Sequence, residues 1–346
     1  MQFASIILLS TLLLVFLNFL LKKKNFLLDN KGLPHKSFAS KEAVPLSGGF
    51  VILFNLFLFS TNYLFLYFFI LIFILGIFSD LLIITKPLIK FIIQALIVLS
   101  FLFFFDLKVL STKIYFIDFL IKYKLFAILF TAFCLLILIN GTNFIDGINT
   151  LVCGYYILII LTVLYVCYHN QLLIYNFNNF YYLLLSLLII YFFNSFSKVY
   201  LGDSGSFLLS FLMGYYLIEL CNDNLNLIRY ISPIFVLLLF WYPAFENLFS
   251  ILRKLLSKNN PSRPDNLHLH QLFFFFLKKK NKKKDIFNNT LTGNVINFFN
   301  LISFSVASQF YYHTEYLIYL SIFNVLIYII VYFYLYKKNS KNKHLP

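Results

Sequence analysis

Charge is scarce in this chain, and negative charge scarcer still. Of its 346 residues 12% are charged, and 13 acids stand against 28 lysines and arginines. Soluble domains average about 25% charged and about 45–50% apolar, whereas 61% of this chain is apolar and 21% aromatic. A water-soluble domain is therefore excluded, because its surface would hold too little polarity to stay in solution. Cysteine is also sparse. Cys134, Cys153, Cys167 and Cys221 fall mostly in apolar runs without CxxC spacing, which argues against a disulfide framework or thiolate metal site and leaves them as core fillers. The runs lack the alternation of barrel strands, so helix is the element that can satisfy their backbones in lipid. No basic segment precedes the first run, 3–21, and Lys22, Lys23 and Lys24 follow it. That order predicts a retained membrane helix and not a cleaved signal peptide.

What is present is a series of long apolar runs. A bilayer-crossing helix needs about 20 mostly apolar residues, and runs near that standard lie at 3–21, 46–60, 62–78, 88–105, 123–139, 151–168, 181–193, 206–220, 228–245, 295–312 and 316–336. The predicted fold is thus an all-α polytopic membrane protein of about eleven transmembrane helices, forming one domain over 1–346. With the N-terminus periplasmic, loops 22–45, 79–87, 140–150, 194–205 and 246–294 and the C-terminal tail share one side. That side holds 23 of the 28 Lys and Arg; the other holds only Lys108, Lys113, Lys122, Lys124 and Arg229. The positive-inside rule makes the crowded side cytoplasmic. Its basic loops, including the six lysines of 278–284, suit an anionic leaflet better than nucleic acid.

Eight of the thirteen acids fall on that same side: Asp29, Glu42, Asp80, Asp146, Asp203, Glu246, Asp265 and Asp285. Ionisable groups near membrane depth are costly, and each is a candidate for function. In NGTNFIDGINT (140–150), Asn140, Asn143 and Asp146 recur every three residues and share a face of a continued helix. They read either as a helix C-terminus or as a site for a hard cation or a nucleotide's polar edge. In YLGDSGS (200–206), Asp203 or Ser204 reads as an N-cap, or Asp203 as a Mg²⁺ ligand at a phosphate-binding helix start. GIFSD ends in Asp80, a solvated carboxylate or a site acid, and Lys86, Lys90 and Gln94 follow. His268 and His270 of HLH, with Arg263, form a better phosphate cradle than a zinc site. With Asp29, Pro34, His35, Lys36 and the PLSGG run of the basic, Gly-rich segment 29–49, these residues predict a Mg²⁺-capable, phosphate-binding site assembled from five loops at one membrane face.

The order GIFSD, NGTNFIDG, YLGDSGS and HLH resembles the polyprenyl-phosphate N-acetylhexosamine-1-phosphate transferase superfamily, over roughly two-thirds of the chain. The resemblance implies transfer of a sugar-1-phosphate from a UDP-N-acetylhexosamine to undecaprenyl phosphate, with release of UMP. The setting would be a bacterial inner membrane, and a homodimer is compatible with it. It implies Mg²⁺, or Mn²⁺ in its place, on Asp203 and Asp80, with Asp80 and Asp146 as catalytic acids. Asn140, Asn143, Lys86, Arg263, His268 and His270 would bind nucleotide or phosphates. Three positions depart from the pattern. Ser79 stands where the first of two aspartates is usual, Asn149 where an acid is usual, and Glu246 where aspartate is common. A catalytically silent relative and a transporter are the competing expectations. The polar motifs sit at span ends without an internal repeat, which argues against transport.

Overall fold

A computed structural model describes residues 2–29, 43–60, 62–172, 177–225, 227, 230–258, 265–281 and 284–340. Fourteen helices account for most of them: α1 (Gln2–Lys23), α2 (Gly48–Phe59), α3 (Tyr63–Asp80), α4 (Pro87–Phe105), α5 (Tyr115–Ile121), α6 (Lys124–Ile145) and α7 (Leu151–Asn170). They continue with α8 (Phe177–Ser195), α9 (Gly202–Asp223), α10 (Pro233–Leu239), α11 (Trp241–Leu256), α12 (Leu269–Lys280), α13 (Asp285–Gln309) and α14 (Thr314–Ser340). Among the described residues the chain is therefore an all-helical polytopic membrane protein.

Each predicted apolar run holds helix among its described residues, but fewer helices than eleven meet the standard for a crossing. Seven are long and apolar enough, or eight if α10 and α11 count as one broken span. The difference has a physical cause. The 12 residues of α2 reach only about 18 Å at 1.5 Å per residue, short of the roughly 30 Å hydrocarbon core. In α13, Asn288, Asn289, Asn297 and Asn300 are buried in the protein, so its polarity is matched by neighbours and not by lipid. Most described residues of the expected loop 246–294 are helical, in the end of α11, in α12 and in the start of α13.

Helix α9 is the centre of the bundle, with 94% of its apolar window buried, whereas α1 and α14 bury only 22% and face outward. It packs against α2, α3 and α6. Its crossing with α3 is close because Gly76 carries no side chain: a Cβ there would lie 2.2 Å from the Ser204 Cα. Buried amides stitch other crossings, as where Asn55 of α2 donates to Ser10 of α1 at 3.0 Å and Ser186 of α8 at 2.6 Å.

The predicted span 228–245 is broken instead, with α10 and α11 meeting at Phe240 at 69°. Pro243 has no N–H to give Leu239, four residues back. The orphaned Leu239 carbonyl accepts from the Tyr155 hydroxyl of α7 at 2.8 Å, as a backbone group buried away from water requires. Beyond the break α11 is amphipathic. Leu248, Ile251, Leu252, Leu255 and Leu256 are exposed while Glu246, Ser250 and Lys254 are buried.

Candidate active site

The site begins where α3 ends on the start of α9. The Asp80 carboxylate accepts the backbone N–H of Asp203 at 2.9 Å, the N–H of Ser204 at 3.1 Å and the Ser204 hydroxyl at 2.9 Å. Four N–H groups at a helix start have no partner within the helix, and an anion there is stabilised by the helix dipole. Asp80 thus caps α9 from another helix, 123 residues away in sequence. Gly202 permits this, with φ of +71° and a hypothetical Cβ 2.7 Å from an Asp80 carboxylate oxygen. The expected N-cap role of Asp203 or Ser204 is not what forms. Leu201 is the cap residue, and Asp203 lies in the first turn.

Asp203 turns its Oδ2 toward Ser79 and Lys90. The Ser79 hydroxyl donates to it. The Lys90 ammonium lies 3.2 Å from the same oxygen and donates to Ser79 Oγ at 2.6 Å. One turn further along α4, Gln94 is fully buried and its Oε1 accepts from Asn140 at 3.1 Å. Helix α4 therefore joins the GIFSD and GDSGS motifs to the end of α6. Lys86 is exposed at the N-cap of α4.

At the end of α6 the helix closes at Asp146, with Asn140, Asn143 and Asp146 all partly exposed. The HLH segment packs here. A Cβ on Gly147 would lie 3.1 Å from His270 Nε2, and the Phe144 and His268 rings are 5.6 Å apart. His268 is engaged on the protein side. Its Nδ1 is 2.9 Å from Glu246 Oε1, and Glu246 Oε2 accepts from Tyr328 of α14 at 2.7 Å. His270 is fully buried, and burial drives its imidazole down to about 3, so it is neutral at ordinary pH. Arg263 lies outside the described residues.

Asn149 is absorbed into structure. Its side chain donates to Ser197 at 2.7 Å and its backbone N–H to Asn289 at 2.6 Å, within a buried amide cluster that includes Thr150, Asn194 and Asn297. Lys90, Ser79 and Glu246 carry more of the site than the sequence motifs assign to them. The signal for Lys90 and Gln94 was legible in principle: with Lys86 they recur every four residues on an otherwise apolar helix, one polar stripe that lipid would not tolerate.

Mg²⁺ on Asp203 and Asp80 was expected, and the residues present do not fit it as they stand. Lys90 already occupies the Oδ2 face of Asp203, and Asp80 is committed to α9. Among the described residues no three His, Cys, Asp or Glu side chains converge as a metal-binding group.

Comparison with known proteins follows the same residues. The family model of glycosyl transferase family 4 matches residues 62–221, which include Ser79, Asp80, Lys90, Asn140, Asp146 and Asp203. Over 77 residues the chain is 34% identical to an undecaprenyl-phosphate alpha-N-acetylglucosaminyl 1-phosphate transferase of Thermotoga maritima. That alignment covers 22% of this chain and 24% of the relative, about a quarter of the relative's length. Residues 62–221 are thus similar to glycosyl transferase family 4, and the shorter aligned stretch shows distant homology to that transferase.

Proposed function

We propose that the protein transfers a sugar-1-phosphate, that of an N-acetylhexosamine, from its UDP derivative to undecaprenyl phosphate. An oxygen of the lipid phosphate attacks the β-phosphorus of the donor. One P–O bond forms there, the bond from that phosphorus to the bridging oxygen breaks, and UMP leaves. The observation that carries this reading is the meeting of Ser79, Asp80, Lys90 and Asp203 at one end of the bundle, joined through Gln94 to Asn140.

Each part has a chemical task in this reading. A phosphate monoester, with a second pKa near about 6, is already largely ionised at neutral pH, so attack needs no strong base and Ser79 in place of an acid is tolerated. Lys90 and Lys86 hold phosphate charge. Asn140, Asn143 and Asp146 meet the polar edge of the nucleotide. Helix α11 packs on α6, and its exposed apolar face suits a lipid substrate approaching from the bilayer. The polar end of the bundle faces the cytosol, where the basic side belongs. Divalent cations are typical of the family.

The test is UMP release by purified protein given undecaprenyl phosphate, Mg²⁺ and a panel of UDP-N-acetylhexosamines. Release with at least one donor is expected. A folded protein that releases no UMP with any donor would favour a catalytically silent relative.

A further inference from the structure

Asp203 has an unusual neighbourhood for a residue expected to bind a divalent metal. Its Oδ2 meets a hydroxyl and an ammonium, and Lys90 touches both Ser79 and Asp203. The side chains of Lys90 and Asp203 are 24% and 14% exposed, so water screens the pair only in part.

The charge count explains why position 79 matters. With two carboxylates against it, a single ammonium would leave one negative charge uncompensated, and a divalent ion would balance the pair better. With a serine there, the Ser79, Lys90 and Asp203 side chains sum to zero charge, and the neighbouring Asp80 carboxylate is met by the N–H groups at the start of α9. Ser79 also accepts from Lys90 while donating to Asp203, so the hydroxyl fixes the ammonium in place. A divalent cation entering this group would meet Lys90 at close range, and like charges a few ångström apart repel strongly.

We propose that Lys90 is the resident cation of this site. Its ammonium, pinned by Ser79, takes the place of a divalent metal ion on Asp203, and metal binds there only by displacing it. The inference rests on the reading of Asp203 as the anionic centre of the site. Lys90 then presents to a substrate phosphate the positive charge that a metal would otherwise supply.

Mn²⁺ alone serves as the probe, followed by the loss of its free-ion electron paramagnetic resonance signal on titration into purified protein. The variants are Lys90→Gln, Lys90→Arg, Ser79→Asp and the double variant Lys90→Gln/Asp203→Asn, each checked for a monodisperse fold. The wild type and Lys90→Arg bind weakly. Lys90→Gln and Ser79→Asp each tighten Mn²⁺ by at least about tenfold, the first by removing a repelling charge and the second by adding an attracting one. The double variant loses the gain. Equal affinity in the wild type and Lys90→Gln, lost with Asp203→Asn, overturns the inference while leaving Asp203 at the centre. Binding that survives Asp203→Asn removes Asp203 itself, and the inference with it. No binding in any variant also overturns the proposal. None of these readings needs the donor sugar or a turnover assay.

Discussion

Asp80 reaches across from the end of α3 and accepts the first backbone N–H groups of α9, those of Asp203 and Ser204. One carboxylate expected to work on substrate is therefore a brace for the other. The two acids should respond differently to loss of charge. Asp80→Asn replaces an accepting oxygen with an NH₂ group and leaves a buried N–H or hydroxyl of α9 without its acceptor. A cost of about 1–3 kcal/mol is expected, seen as a lower thermal unfolding midpoint in detergent, with UMP release falling alongside it.

Asp203→Asn removes the charge that faces Lys90 but leaves the cap on α9 intact. Turnover should be abolished while the unfolding midpoint falls by less than in Asp80→Asn. Retained UMP release would take Asp203 out of the reacting site.

The break between α10 and α11 depends on one hydroxyl. Tyr155→Phe leaves the Leu239 carbonyl buried without a donor, beside a proline that cannot help. Destabilisation of about 1–3 kcal/mol follows, measurable by thermal unfolding. An unchanged midpoint would mean that the carbonyl finds another partner.

Glu246 ties three parts of the chain together, through His268 of the HLH segment and Tyr328 of α14. Tyr328→Phe removes a hydrogen bond to a buried carboxylate, and a cost of about 1.5–3 kcal/mol is expected for a bond of that kind. If Glu246 also orients His268 toward substrate, Glu246→Gln lowers kcat more than it lowers the unfolding midpoint would explain. Kinetics and unfolding on the same preparation separate the two.

At the opposite end of the bundle, Asp118 organises the turn before α5. Burial raises its pKa, but donors from Thr112, Ser111 and Lys113 outweigh that and bring it below the usual carboxylate value. A depressed folded pKa contributes stability above the unfolded value and loses it as pH falls through the folded one. Hydrogen exchange of residues 111–118 should therefore accelerate as pH drops below about 4, after correction for intrinsic rates. Asp118→Asn should show fast exchange there at all pH values, and the acid-dependent part should vanish.

Much of the architecture was readable from composition and run length. Each apolar run holds helix among its described residues, and Pro87 and Pro233 stand in the first turns of α4 and α10. The number of crossings was less readable, because a hydropathy count treats each residue as facing lipid. Asn55, Asn289 and Asn297 face protein, and Pro243 turned one expected span into two arms. The motifs meet in the fold, with Asp80 against the start of α9 beside Asp203 and Asn140 reaching Gln94 one turn beyond Lys90. Their roles were not visible, since spacing along the chain does not say which carboxylate meets a helix end and which meets an ammonium.

The sequence alone determined that this chain is a helical membrane protein with its polar motifs at helix ends. Transfer of a side chain into lipid is a local property, and it can be summed residue by residue. The tertiary structure decided what each carboxylate does. Ser79 and Asp203 lie 124 residues apart, and only the close crossing of α3 and α9 over Gly76, with α4 alongside, brings them together and sets Lys90 against both. Hydrogen bonding and charge pairing act over a few ångström, so their outcome is set by packing that no local pattern encodes.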